Sequence, residues 1–236
     1  MVSTFSSTCK SFSIAGAIAL LVCGGRNALA QSGAPNPGVL EHEAVTPPLL
    51  FREVWQQPPH TGPLNDENRR ITPQAVTNGD LELRLYGTDA RNIQVTEHNG
   101  VPDLWTGFAT SPVALTLRHK NAYLDLTGLT RMRWRTRTEN LHVLHPVVKL
   151  ADGTYIVARR AVETNGEFLS VDLSFNDLKW FKLDPEKVLP SVEVKNPDLT
   201  KVDEIGMAFL APGGGHGTAS SINLSDVEVY AKAVPR

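Results

Sequence analysis

Arg131-Met132-Arg133-Trp134-Arg135-Thr136-Arg137 decides the fold of this chain. Two large apolar residues alternate with four arginines, the two-residue period of a strand with one face in a core and the other in solvent; a helix would scatter the same arginines around its circumference. Working outward, Val147 to Leu150 and Tyr155 to Arg159 flank Ala151-Asp152-Gly153-Thr154, where Asp-Gly signals a tight hairpin. Leu81, Leu83 and Leu85 alternate with Glu82, Arg84 and Tyr86, and Asn92 to Thr96 follows the turn-like Gly87-Thr88-Asp89. Val113 to Leu117, Phe168 to Leu173, Ile205 to Leu210 and Val227 to Tyr230 complete roughly nine or ten strands. No long amphipathic helix interrupts them, so the expected fold is all-β, an antiparallel β-sandwich.

Residues 1–30 read as a secretory signal peptide. Lys10 starts it, the apolar run Phe12 to Cys23 follows, and Ala28-Leu29-Ala30 supplies a small-residue cleavage site before Gln31. That run is too short to span a bilayer. Cys9 and Cys23 both fall within residues 1–30, so the mature chain is expected to be a periplasmic or secreted protein with no cysteine and no transmembrane segment. A thiol nucleophile and Cys-ligated zinc are thereby excluded. The alternative is lipidation at Cys23, against which Val22 stands as a poor small residue. Removing Lys10 and Arg26 from the 23 Lys and Arg leaves 21 against 25 acids, a formal −4, which gives no basis for nucleic-acid binding. Residues 31–48 are rich in Pro, Gly and polar residues and read as a flexible linker to a single domain over 49–236.

The turn-and-strand order carries a resemblance. Asp125-Leu126-Thr127-Gly128-Leu129 feeds the Met132/Trp134 strand, Leu169 to Phe175 precedes a Trp180 segment, Asp198 to Gly206 feeds another strand, and Ile222 to Tyr230 closes the domain. This order resembles the galactose-binding-domain-like jelly rolls, the superfamily of many carbohydrate-binding modules and of the complex-I-assembly-factor type domain. It is also similar to exported bacterial domains of uncharacterised role. The resemblance implies a jelly roll and carbohydrate as partner, but a β-sandwich hosts many activities, so function rests on local features.

Several features qualify. Arg131, Arg133, Arg135 and Arg137 share a strand face at about 6.5 to 7 Å pitch, suited either to carboxylates or sulfates of an acidic polysaccharide or to cross-strand partners such as Glu163 and Glu167. The loop Pro212-Gly213-Gly214-Gly215-His216-Gly217 brings one histidine among four glycines, as a ligand loop or a plain linker. Trp105 in Asp103-Leu104-Trp105-Thr106-Gly107 is the first candidate for a sugar platform and Trp180 the second, while Trp134 and Trp55 read as core. His142 and His145 are three apart, on opposite faces of a strand, which argues against zinc. His119 and His145 with Arg118, Lys149 or Tyr155 would make a basic, aromatic concave surface. Asp226 and Glu228, with Asp80 and Glu82, could contribute to a structural calcium site, the one cofactor considered. Asp203-Glu204 is expected to serve a turn.

No Gly-x-Ser-x-Gly elbow or helix-opening Gly-x-Gly-x-x-Gly occurs. The first reading is a carbohydrate-binding protein with Trp105, Arg133, Arg135, His145 and His216 at the contact surface. The alternatives are a small polysaccharide lyase or glycoside hydrolase, with His216 or His145 as base beside Arg133 or Lys149, and a non-catalytic envelope assembly protein.

Overall fold

The computed structural model describes residues 45–139, 142–211 and 222–236. The leader, most of the linker and the His216 loop lie outside them. Two antiparallel sheets form a jelly-roll sandwich, as expected, with fifteen strands among the described residues. The additional strands are short or polar segments that carry little apolar periodicity. Helix is confined there to single 3-10 turns at Pro73–Ala75 and Ala90–Asn92.

The smaller sheet contains β1 (Leu49–Val54), β3 (Gln94–His98), β4 (Val101–Trp105), β7 (Arg131–Thr138), β10 (Leu169–Ser174) and β14 (Ile222–Tyr230), in the order β10-β7-β14-β4-β3. β1 and β4 share one edge of β14, β1 along Asp226 to Tyr230 and β4 along Asn223 and Leu224. β7 alternates half-buried arginines with Met132, Trp134, Thr136 and Thr138 in the interior. Trp134 is fully buried, and truncating a side chain of that size costs about 3–5 kcal/mol.

The larger sheet holds β2 (Leu81–Tyr86), β5 (Val113–His119), β6 (Ala122–Asp125), β8 (His145–Leu150), β9 (Tyr155–Ala158), β11 (Trp180–Asp184), β12 (Leu189–Val194), β13 (Val202–Phe209) and β15 (Lys232–Pro235). Its main path runs β12-β11-β9-β8-β13-β5-β2, with β6 joining β13 to β15. Leu115, Leu117, Val148, Ile156, Trp180, Ile205 and Met207 face the smaller sheet and make the core with Met132, Trp134, Val227 and Val229. β13 departs furthest from the half-buried pattern, buried at every position. Something must therefore cover its outer side.

Candidate functional site

Register arranges the outer face of the larger sheet in rows across the strands. One row reads Glu82, Arg118, Glu204, Lys149, Tyr155. The next reads Arg84, Thr116, Gly206, Val147, Val157, Phe181, and the third Tyr86, Ala114, Ala208, His145. Strands lie about 4.8 Å apart, so the second row crosses about 24 Å of surface. Its centre is bare by necessity: a Cβ on Gly206 would lie 2.0 Å from the Leu115 carbonyl oxygen.

The cover over β13 is the β11–β12 hairpin. Val188, at its tip, is fully buried in a cluster with Ala114, Val147, Val157, Leu183 and Ala208. It also reaches Gly87, where an added Cβ would come within 3.0 Å of Val188 Cγ2. β2 and β11 stand far apart in the strand order, so the hairpin crosses the face, on which a hollow also opens. Val188 takes φ 52°, a left-handed backbone that a β-branched residue adopts only under constraint.

In the hollow, Tyr86 packs edge-on to Tyr155 with ring centroids 5.1 Å apart. Glu204 is 1% exposed and fully engaged: Oε2 accepts from the Tyr86 hydroxyl and from Thr116 Oγ1, both at 2.5 Å, and Oε1 accepts from Lys149 Nζ at 3.0 Å. Burial and then the Glu204 carboxylate drive the Tyr86 hydroxyl well above its ordinary range, keeping it a donor. Desolvation opposes the Lys149 ammonium, but Glu204 outweighs it and holds the lysine charged. Asp203 joins Arg118, Lys149 and Arg236 at 3.1, 3.3 and 2.6 Å. Burial acts to raise its pKa, yet these three cations hold the carboxyl below its usual range. Together with Arg84 and Arg118, these groups line a polar hollow of about 600 Å³.

Beyond the tyrosine pair lies an apolar pocket of about 260 Å³, lined by His145, Val157, Phe181, Pro190, Leu210 and the stem of Arg159 among others. His145 contacts the Ala158 carbonyl through Nδ1 at 3.2 Å, and burial depresses its pKa, so the ring is neutral near pH 7. The polar and the apolar pocket thus both lie on the outer face of the larger sheet.

The sequence-derived candidates fall in different places. His145 lines the apolar pocket, whereas Lys149, Tyr155 and Arg118 line the polar hollow, and His119 joins neither and accepts a hydrogen bond from the Asn121 backbone N–H. Arg133 and Arg135 lie on the opposite outer face. Arg133 makes a bidentate pair with Asp172 at 2.9 Å, in place of the expected Glu163 or Glu167, and Arg135 stacks over Phe168. Trp105 belongs to the smaller sheet, held against Gly107 and edge-on to Phe108. Trp180, the second platform candidate, is core. His216 lies outside the described residues. The two carboxylate pairs considered for calcium are in different sheets: Glu82 with Arg84 and Arg118, Asp226 and Glu228 with Arg52. No group of three or more metal-ligating side chains gathers among the described residues.

Sequence reasoning missed Tyr86 and Glu204. Asp203 and Glu204 occupy the central strand, not a turn, and a register shift between Val202 and Glu204 turns both toward the hollow. Acids inside the apolar run Val202 to Phe209 were the available signal.

No family model matches the chain, and no curated protein sequence does. Among solved structures it is similar to the family 11 carbohydrate-binding module of the cellulosomal cellulase Lic26A-Cel5E of Clostridium thermocellum, at 5% identity over 66% of this chain and 85% of that one, with a TM-score of 0.38. An exo-β-agarase gives 11% identity over 72% of this chain and 24% of its own, TM-score 0.34. The binding domain of botulinum neurotoxin serotype D gives 11%, 70% and 47%, TM-score 0.31. Likenesses at this level carry no argument about what this chain binds.

Proposed function

We propose that this chain is an exported carbohydrate-binding protein of the periplasm or cell exterior, and that its ligand lies in the hollow of the larger sheet. One observation carries the reading: Tyr86, Tyr155 and Phe181 stand beside a row of charged hydrogen-bonding groups on an outer sheet face. A sugar ring presents an apolar face and a hydroxyl-lined edge, and such a surface meets both. The leader supports export, and no helix among the described residues is long and apolar enough to cross a membrane.

Tyr86 and Lys149 are pushed upward and so stay protonated donors, and Asp203 is pushed downward and so stays an ionised acceptor, the states that hydrogen-bond a sugar's hydroxyls. The test is the whole chain against arrayed neutral and acidic polysaccharides, read for retained protein and for released sugar. Retention without release, weakened about tenfold by Tyr155→Ala or by Phe181→Ala, is the expected result. Preference for a polyuronate or sulfated glycan would extend it to acidic polysaccharides. Released reducing ends or unsaturated sugars would replace it with an enzyme, and indifference to every glycan would overturn it.

A further inference from the structure

The outer face of the smaller sheet carries a separate small pocket of about 60 Å³, lined by Asp103, Arg135, Ser225, His98 and Phe168 among others. Asp103 is 1% exposed. Its Oδ1 accepts from Thr96 Oγ1 at 2.6 Å and from Asn223 Nδ2 at 2.7 Å, while Oδ2 is buried with no partner among the described residues. A carboxylate oxygen left so is costly unless something occupies the space beside it.

The opposing group is equally unspent. Arg131 and Arg133 pair with Asp172, and Arg137 pairs with Glu139. Arg135 alone of the four has no carboxylate in reach among the described residues and lies over the Phe168 ring, 5.0 Å from its centroid. The sheet is also deformed at this point. Leu224 pairs with Thr136 and Asp226 with Arg135, so Ser225 is an extra residue turned into the pocket. Bulges re-aim side chains in this way near binding sites.

The two groups select the occupant. An ammonium would suit Asp103 and be repelled by Arg135, and a carboxylate the reverse. A hydroxyl both donates and accepts. The His98 and Phe168 rings, with centroids 5.2 Å apart, add an apolar wall for C–H groups. The volume admits a hydroxymethyl group or ring edge, not a whole pyranose. We propose that this pocket is a second recognition site, for a hydroxyl-bearing terminus of a neutral sugar or polyol, with Asp103 as acceptor and Arg135 as donor.

The test titrates the isotope-labelled whole chain with methyl β-D-glucopyranoside, methyl β-D-galactopyranoside and xylitol, following backbone amide shifts, with acetate and methylammonium as charged controls. Saturable shifts at Asp103, Ser225 and Asn99 with at least one neutral probe, absent with both ions, are expected. Arg135→Gln should weaken that binding roughly tenfold. Asp103→Asn should weaken it too, but its bonds to Thr96 and Asn223 tie it to folding. Arg135→Gln therefore decides, because Arg135 has no ion pair among the described residues for folding to lose. Acetate or methylammonium binding as well as the sugars, shifts confined to the Tyr155 and Phe181 face, or no saturable shift from any probe, as for a pocket holding only water, would each overturn the proposal.

Discussion

Lys149→Met tests whether the buried Glu204 carboxylate depends on its cation. Glu204 has a side-chain exposure of 2% and Lys149 of 24%, with Nζ 3.0 Å from Oε1. Removing one member of such a pair costs about 3–5 kcal/mol, because the other charge remains buried. Two hydroxyl donors stay on Oε2, which places the expected loss near the lower end, about 3 kcal/mol. For a domain of this size each kcal/mol moves the midpoint about 2–4 °C, so Tm should fall by roughly 6–12 °C. Adding Glu204→Gln removes the stranded charge while its amide oxygen still accepts from Tyr86 and Thr116. The double variant should regain at least about half of the loss. Urea unfolding followed by fluorescence of the buried Trp55, Trp134 and Trp180 gives the stabilities at neutral pH. A loss below about 1 kcal/mol for Lys149→Met, or a double variant no more stable than the single one, would refute the reasoning.

Gly206→Ala should destabilise by about 1–3 kcal/mol through overpacking, since its Cβ meets fixed backbone of β5; an unchanged urea midpoint would contradict the close approach of these strands. Burial lowers the folded pKa of His145 below its ordinary 6.5, so the unfolded chain takes up the proton first. Stability should hold above pH 6.5 and decline as pH falls through the window beneath it, a slope that His145→Gln flattens in calorimetry. Asp203, lowered from 3.8 by its cations, adds stability present above that value and lost as pH falls through its folded pKa, so Asp203→Asn should reduce the acid-induced loss. Arg133→Ala, on an exposed pair in the opposite sheet, should leave both the unfolding midpoint and glycan retention unchanged; lost retention would move the ligand to the arginine face.

The strand carrying Trp134 was legible because large apolar side chains alternate with charge, and no other regular structure satisfies that pattern. Trp55 and Trp134 are core as expected. The lysines around Trp180 suggest exposure, yet a strand sends Lys179 to the other face, and Lys182, two residues on, stays exposed while Trp180 is covered. The hollow was half legible: Arg118, Lys149 and Tyr155 were grouped correctly, but their alignment with Glu204 depends on register, which a single sequence does not carry. Glu204 was misread for a related reason. A strand buried on both faces loses its alternation, and the hairpin that covers β13 comes from residues 180–194, whose own sequence gives no sign of where it lands.

The position of β14 has a kinetic consequence. This strand, near the end of the sequence, is the one against which β7, β4 and the first strand β1 all pair. The smaller sheet therefore cannot assemble until residues 222–230 have been synthesised, and β1 must wait for a partner more than 170 positions away, as between Arg52 and Asp226. Such distant pairing makes folding slow. A chain of this topology keeps its smaller sheet incomplete while the strands of the larger one can already pair, and the sandwich closes only once β14 is free to dock.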